Sequence, residues 1–185
     1  ELNLTCPNVE GKGIFAYDLE ATRRAIVEVR QIVGGEVLIV KLNPHPDAAY
    51  VEAMCKILDE EKVDGIALCN TVPNCLVLNP SLKPVITPNK GLAGLSGTGI
   101  KPIVMGQVFQ YRQRLPAINI IAEGGVWNGR DILDYFVAGA NFCRTATLYA
   151  QRGAVVFADL TREFIEEMEG HGFEGIADIP VLRTD

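Results

Sequence analysis

A chain of 185 residues with 48% hydrophobic side chains is long enough to bury one sizeable core. Its formal charge of -6 and isoelectric point near 5.0 speak against a nucleic acid or an acidic membrane surface as partner, and no apolar run approaches the ~20 residues of a membrane span. Five cysteines (6, 55, 69, 75 and 143) without CxxC or His-paired spacing disfavour a disulfide framework and a zinc site, and fit a reducing, cytoplasmic setting.

The chain opens on Glu1-Leu-Asn-Leu-Thr-Cys-Pro-Asn8. Leu2 and Leu4 alternate with Glu1 and Asn3, the period of a short buried strand. Pro7 ends it, because proline cannot donate to a sheet ladder and holds Cys6 extended. A thiol is thereby set just past a strand end among Asn3, Thr5 and Asn8. It can act there as proton acceptor or nucleophile, with the amides as orienting partners. Equally, Cys6 can be a small hydrophobe and the asparagines turn formers.

Residues 9–15, with Gly11 and Gly13, read as a loop able to lie over a ligand. Asp18 caps a helix to about residue 33, with Leu19, Ile26, Val29 and Val33 on one face and Gly34-Gly35 as its stop. The apolar run 36–42 is expected of a parallel strand buried on both faces, and Lys41 closes it. After Asn43-Pro-His-Pro46, Asp47 caps a second helix carrying Val51, Met54, Cys55 and Leu58. Residues 65–69 form the third strand, with Asn70 and Thr71 at its end.

Over 72–99 the helical pattern lapses. Segments 76–78 and 85–86 are expected to pair as a small hairpin of the lid type, followed by the glycines 91, 94, 97 and 99. Pro102 starts a helix to about 114. A fourth strand over 118–122 runs into Glu123-Gly124-Gly125. Asn128 caps a helix to 138 with Gly139 as its stop, 141–146 is a fifth strand, and 155–169 is a last helix with Phe157, Leu160, Phe164 and Met168 inward.

Strand and helix alternate five times, which fits either an open doubly wound sheet or a (β/α)₈ barrel whose first three units are absent from the chain. Polar or glycine clusters lie at the carboxyl ends of all five strands, which favours the barrel. The 185 residues are therefore expected to hold about five C-terminal βα units of one barrel domain. Such a part alone is expected neither to fold stably nor to turn over, because unpaired strand edges flank the gap.

Gly124, Gly125 and Thr147 suit a phosphate site at the last two strands, where backbone N–H groups meet an anion; Ser96 and Gly97 add donors. An ordinary tight βα turn uses the same glycines. Lys41 offers positive charge to an anionic ligand or is a solvated cap, and Asn70 fixes a planar ligand or ends its strand. His45 and His171 carry no assigned role, and Trp127 is read as packing.

The stretch ELNLTCPNVEGKG...AYD, followed in order by VKLNP, CNTV, GLSGTGIKP, AEGGV and AGA...T, resembles class 1 dihydroorotate dehydrogenases, closest to the soluble fumarate-using branch. The resemblance implies an FMN-binding (β/α)₈ barrel that oxidises dihydroorotate to orotate in pyrimidine synthesis, with fumarate as acceptor and a homodimeric assembly. It makes Cys6 the base that takes a proton from C5 of dihydroorotate while C6 delivers hydride to flavin N5. It places Asn3, Asn8, Asn70 and Thr71 around the pyrimidine ring, and Lys41 beside the flavin. Ser96, Gly97, Gly124, Gly125, Ala146 and Thr147 form the FMN cradle. A thiol near its ordinary pKa of about 8.5 needs only modest stabilisation to serve as a base near neutral pH.

Three departures stand out: Ala146 replaces a glycine, Arg144 places a charge where an apolar or amide residue is usual, and Ser96 replaces a glycine of some relatives. A flavin enzyme acting on dihydrouracil or dihydrothymine, and a non-catalytic barrel relative, are the alternatives. The absent N-terminal units, which would supply a second lysine and an Asn-containing loop for a substrate carboxylate, discriminate the first of these.

Overall fold

The structure, a computed structural model, describes residues 1–5 and 13–184. In chain order its elements are β1 (Leu2–Asn3), α1 (Leu19–Val33), β2 (Ile39–Leu42), α2 (Ala48–Glu60), β3 (Gly65–Leu68), β4 (Val72–Leu76), β5 (Leu92–Leu95), α3 (Lys101–Arg114), β6 (Asn119–Glu123), α4 (Gly129–Ala138), β7 (Phe142–Arg144), α5 (Thr147–Arg152) and α6 (Val155–Gly170), with short 3-10 turns between some of them.

Strand order decides between the two architectures. The main sheet runs β1-β2-β3-β6-β7, every neighbouring pair parallel. Each strand lies beside the one before it, so the chain never doubles back past its first strand as an open doubly wound sheet does. The helices follow the same sequence: α1 packs on α2, α2 on α3, α3 on α4 and α4 on α6, a single layer. Consecutive strands under one helical layer are the winding of a (β/α)₈ barrel, here in five successive βα units.

The two faces of the sheet differ in character. Val40, Leu42, Ile66, Leu68, Ile120 and Ala122 are buried against Ile26, Met54, Leu58, Val104, Val108, Tyr111 and Tyr135 of the helices. The alternate positions belong to the face that a barrel turns inward. In register there stand Asn3, Lys41, Ala67 and Ile121, with Glu123 beside Arg144 nearer the carboxyl end.

Local signals set the helix limits as expected. Asp18 accepts from the Ala21 N–H at 2.9 Å, and Asp47 from the Ala49 N–H at 2.9 Å. Asn128 and Asp131 form a reciprocal capping box. Gly34 and Gly139 close their helices at φ +61° and +108°, where glycine is favoured.

Elsewhere the structure corrects the sequence reading. β1 spans two residues, with Asn3 exposed. β2 starts at Ile39 rather than 36, because the preceding backbone is bonded elsewhere: the Glu36 carbonyl accepts from Arg30 and the Leu38 N–H donates to Asp64, both at 2.8 Å. β7 stops at Arg144, where the Thr145 hydroxyl turns aside to the Val126 carbonyl, and the short α5 follows. In α6 Val156 and Leu160 are buried and Phe164 and Met168 half-buried, Phe164 against Phe136, whereas Phe157 is 52% exposed and lies against Tyr149.

The hairpin is longer than expected. Its base pairs β4 with β5, and the predicted inner segments continue it through the Val85 N–H to Val77 carbonyl bond and a Leu78–Pro84 bridge. The sequence reading places no strand over 92–95, yet Gly94 is a strand residue. A Cβ there would lie 2.1 Å from Thr71 Oγ1, so the ladder closes only without a side chain.

Candidate active site at the carboxyl end of the sheet

A cavity of about 260 Å³ opens at the carboxyl ends of β2, β3, β6 and β7. Lys41, Asn70, Thr71, Ser96, Gly97, Gly124, Gly125, Ala146 and Thr147 all line it, drawn from segments more than a hundred residues apart in sequence. A larger groove of about 800 Å³, near Asp64 and Ile118, lies at the opposite end of the sheet, where barrels of this kind do not place their chemistry.

One wall is built from backbone. Gly124 (φ +148°) and Gly125 (φ +72°) carry the chain off β6 pressed against the start of α3. A Cβ on Gly124 would meet Val104 Cγ2 at 2.8 Å; one on Gly125 would meet Lys101 Cβ at 2.7 Å and the Gly97 carbonyl at 3.1 Å. Gly97, at φ +80°, opens the turn into α3, and the Thr147 hydroxyl lies 3.1 Å from Ser96 Oγ. Neither α3 nor α5 has a side-chain cap, so the first-turn N–H groups of both lack a side-chain acceptor. Three glycine-rich or hydroxyl-bearing loops meeting at uncapped helix starts fit a phosphate, such as that of FMN.

The floor is charged. Lys41 Nζ lies 2.6 Å from Glu123 Oε1, and the two side chains are only 17% and 14% exposed. Arg144 Nη1 reaches Glu123 Oε2 at 3.7 Å and Glu1 Oε2 at 2.5 Å. Lys41 is thus an ion-paired group on the inward face rather than a solvated cap. Glu123 was not singled out in the sequence, although its place two residues after Ile121 puts it on the inward face, one strand removed from Lys41. Cys69 also lines the cavity, but it is buried. Burial, reinforced by the Glu123 carboxylate and opposed by the Lys41 ammonium, pushes its thiol above the usual range. Trp127, read as packing, lies at the edge of the core and also lines the cavity.

Asn70 and Asn3 act on the backbone just ahead of Cys6. The Asn70 amide donates to the Thr5 carbonyl at 2.9 Å. The N–H and hydroxyl of fully buried Thr5 both donate to Asn3 Oδ1, at 3.0 and 2.5 Å. Asn3 is not among the residues lining the cavity. Cys6 and Asn8 lie outside the described residues. Among the described residues no group of three His, Cys, Asp or Glu side chains could hold a metal, and no helix is long and apolar enough to cross a membrane.

The comparisons with known proteins agree on one family. The family model described as dihydroorotate dehydrogenase matches residues 1–168. The chain is 35% identical over 180 residues to a dihydroorotate dehydrogenase A (fumarate) of Lactococcus lactis subsp. cremoris, covering 96% of this chain and 58% of that protein. It is 34% identical over 178 residues to a dihydroorotate dehydrogenase (fumarate) of Lachancea kluyveri, covering 95% and 56%. The chain therefore spans less than two thirds of the length of these relatives. Among solved structures it resembles the Eimeria tenella DHODH in complex with ferulenol, with TM-score 0.79 and 20% identity over 96% of this chain and 52% of that one, a likeness of fold. By the match over residues 1–168 and the strand order that agrees with it, the chain belongs to the dihydroorotate dehydrogenase family.

Proposed function

We propose that residues 1–185 contribute the carboxyl-terminal side of a single FMN-binding barrel that oxidises dihydroorotate to orotate. The observation that carries this reading is the convergence of Lys41, Asn70, Thr71, Ser96, Gly97, Gly124, Gly125, Ala146 and Thr147 on one cavity at the carboxyl end of the sheet. FMN, when bound, supplies the acceptor for the hydride leaving C6 of dihydroorotate. Ser96, Gly97, Gly124, Gly125, Ala146 and Thr147 hold its phosphate through hydroxyl and backbone donors. Lys41 presents a cation to the same ligand, and Asn70 and Thr71 bind both the flavin and the pyrimidine.

Cys6 takes the proton from C5 at its Sγ, with Asn3 and Asn8 binding the pyrimidine ring. Asn70 also ties the Thr5 carbonyl, so the strand that delivers Cys6 is anchored to the cavity wall. The relatives carry fumarate in their names, which supports fumarate as the acceptor that reoxidises the flavin. A cytoplasmic homodimer belongs to the same proposal.

The test uses protein expressed from the complete reading frame that carries this chain. Its visible absorbance is recorded anaerobically before and after dihydroorotate, and separately after dihydrouracil. A flavin band that bleaches with dihydroorotate alone is the expected result. Bleaching with dihydrouracil instead would move the protein to the dihydropyrimidine-oxidising flavoenzymes, and a purified protein with no flavin band would refute the flavin site.

A further inference from the structure

Four charged side chains alternate in sign across the inward face of the sheet. Glu1 pairs with Arg144 at 2.5 Å, Arg144 approaches Glu123 at 3.7 Å, and Glu123 pairs with Lys41 at 2.6 Å. Three of them, Lys41, Glu123 and Arg144, line the cavity. Glu123 stands between the two cations with each carboxylate oxygen turned to one of them. A ligand on this floor therefore meets two positive groups and the negative group that offsets them. The Lys41 and Glu123 side chains are more than four-fifths buried, so the offset between them is weakly screened, whereas that from Arg144, 40% exposed, is screened more.

Oxidised flavin that takes up two electrons and one proton gains one negative charge. A cation on the pocket floor favours the reduced form, and a carboxylate opposes it. Resting on the flavin reading above, we propose that Glu123 is a positioning residue. It holds Lys41 and Arg144 together on the floor and, through its charge, keeps the reduction potential of the bound flavin lower than the two cations alone would set it. The Arg144 charge and the Glu123 charge act in opposite senses on that potential.

The test compares wild-type protein, from the complete reading frame, with Glu123→Gln, Glu123→Asp and Arg144→Gln. FMN affinity is read from fluorescence quenching and the midpoint potential from anaerobic equilibration with redox dyes. Glu123→Gln is expected to raise the ratio of reduced to oxidised flavin affinity about tenfold, an upward shift of about 30 mV for a two-electron couple. Arg144→Gln is expected to shift it downward by a similar factor, and Glu123→Asp, which keeps the charge, to stay near wild type.

Opposite shifts in the two glutamine variants support the proposal, because packing damage has no reason to change sign with the charge removed. Unchanged potentials, or shifts in the same direction, overturn it while leaving the flavin site standing. Should Glu123→Gln fail to fold, Glu123→Ser takes its place, with the same upward shift expected and an unchanged or lowered potential overturning the proposal. Wild-type protein without bound FMN overturns the flavin reading and this inference together.

Discussion

Replacing Gly125 by alanine probes whether the cradle wall needs its glycine. Two separate costs meet at this position. A left-handed backbone at φ +72° costs an L-residue about 1–2 kcal/mol. The added Cβ would also lie 2.7 Å from Lys101 Cβ and 3.1 Å from both the Gly97 carbonyl and the Lys101 N–H nitrogen, all inside ordinary contact. Lys101 cannot swing aside, since the contact is at its Cβ and its Nζ is held by Asp131 at 2.5 Å and Asp134 at 2.6 Å. Overpacking of this kind adds roughly 1–3 kcal/mol.

Together the terms give about 2–5 kcal/mol of destabilisation, a fall in melting temperature of roughly 10 °C, along with weaker FMN binding. Gly97→Ala is the internal control. Its backbone, at φ +80° and ψ -163°, lies where glycine alone is at ease and costs an L-residue at least as much, but the nearest atom to its Cβ would be Thr147 Cγ2 at 3.7 Å, so no overpacking is added. Urea unfolding of the wild type and both variants separates these expectations. Gly125→Ala within about 0.5 kcal/mol of wild type would refute the reasoning.

Three further outcomes follow from the same geometry. Cys55 and Cys143, whose thiols burial pushes up to about 12, together with buried Cys69, should resist iodoacetamide in native protein at pH 8 and label in urea; equal labelling in both states would contradict their placement. Cys6→Ala should keep its flavin yet lose fast reduction by dihydroorotate near neutral pH, and a wild-type rate in a stopped-flow experiment would mean that the proton goes elsewhere. The Arg30 guanidinium and the Leu38 N–H hold the Asp64 carboxyl below the usual carboxylate range. Because its folded pKa is lower than its unfolded one, its contribution is complete above the unfolded value near 3.8 and is lost as pH falls below it. Asp64→Asn should therefore flatten the acid side of the stability curve below pH 4, and an unaltered acid limb would count against the Arg30–Asp64 link.

What could be read in the sequence was carried by short-range chemistry. Asp18, Asp47 and Asn128 act within three residues of their own backbone, so the helix starts were visible without knowing what packs on them. The cavity residues were visible because a barrel gathers its ligand groups at the carboxyl ends of its strands. The misses share the opposite property. Gly94 is a strand glycine because Thr71, 23 positions away, occupies the space its side chain would need. Phe157 is 52% exposed while Val156 and Leu160 are buried and Phe164 lies on Phe136 of α4, a choice of face that helical spacing alone leaves open. Glu123 acquires meaning only from Arg144, on the neighbouring strand β7, and from Lys41, on β2 one strand beyond β3.

The same through-space view changes the weight of two of the three departures from the family pattern. Arg144 taken singly is a misplaced charge. In the fold its guanidinium lies between Glu1 and Glu123, and Glu123 in turn serves Lys41, so the inward face carries two positive and two negative groups in alternation. A half-exposed charge with two carboxylate partners does not carry the penalty of an isolated buried one. Ala146 taken singly is a methyl group in a phosphate cradle. Its backbone adopts φ -118° and ψ -51°, which any L-residue takes without strain, and its side chain is exposed at the cavity rim. The positions that do demand glycine, Gly97, Gly124 and Gly125 with positive φ, have it. The cradle is thus intact where its backbone is constrained and varied where it is not, a pattern that fits a site still shaped to hold its ligand.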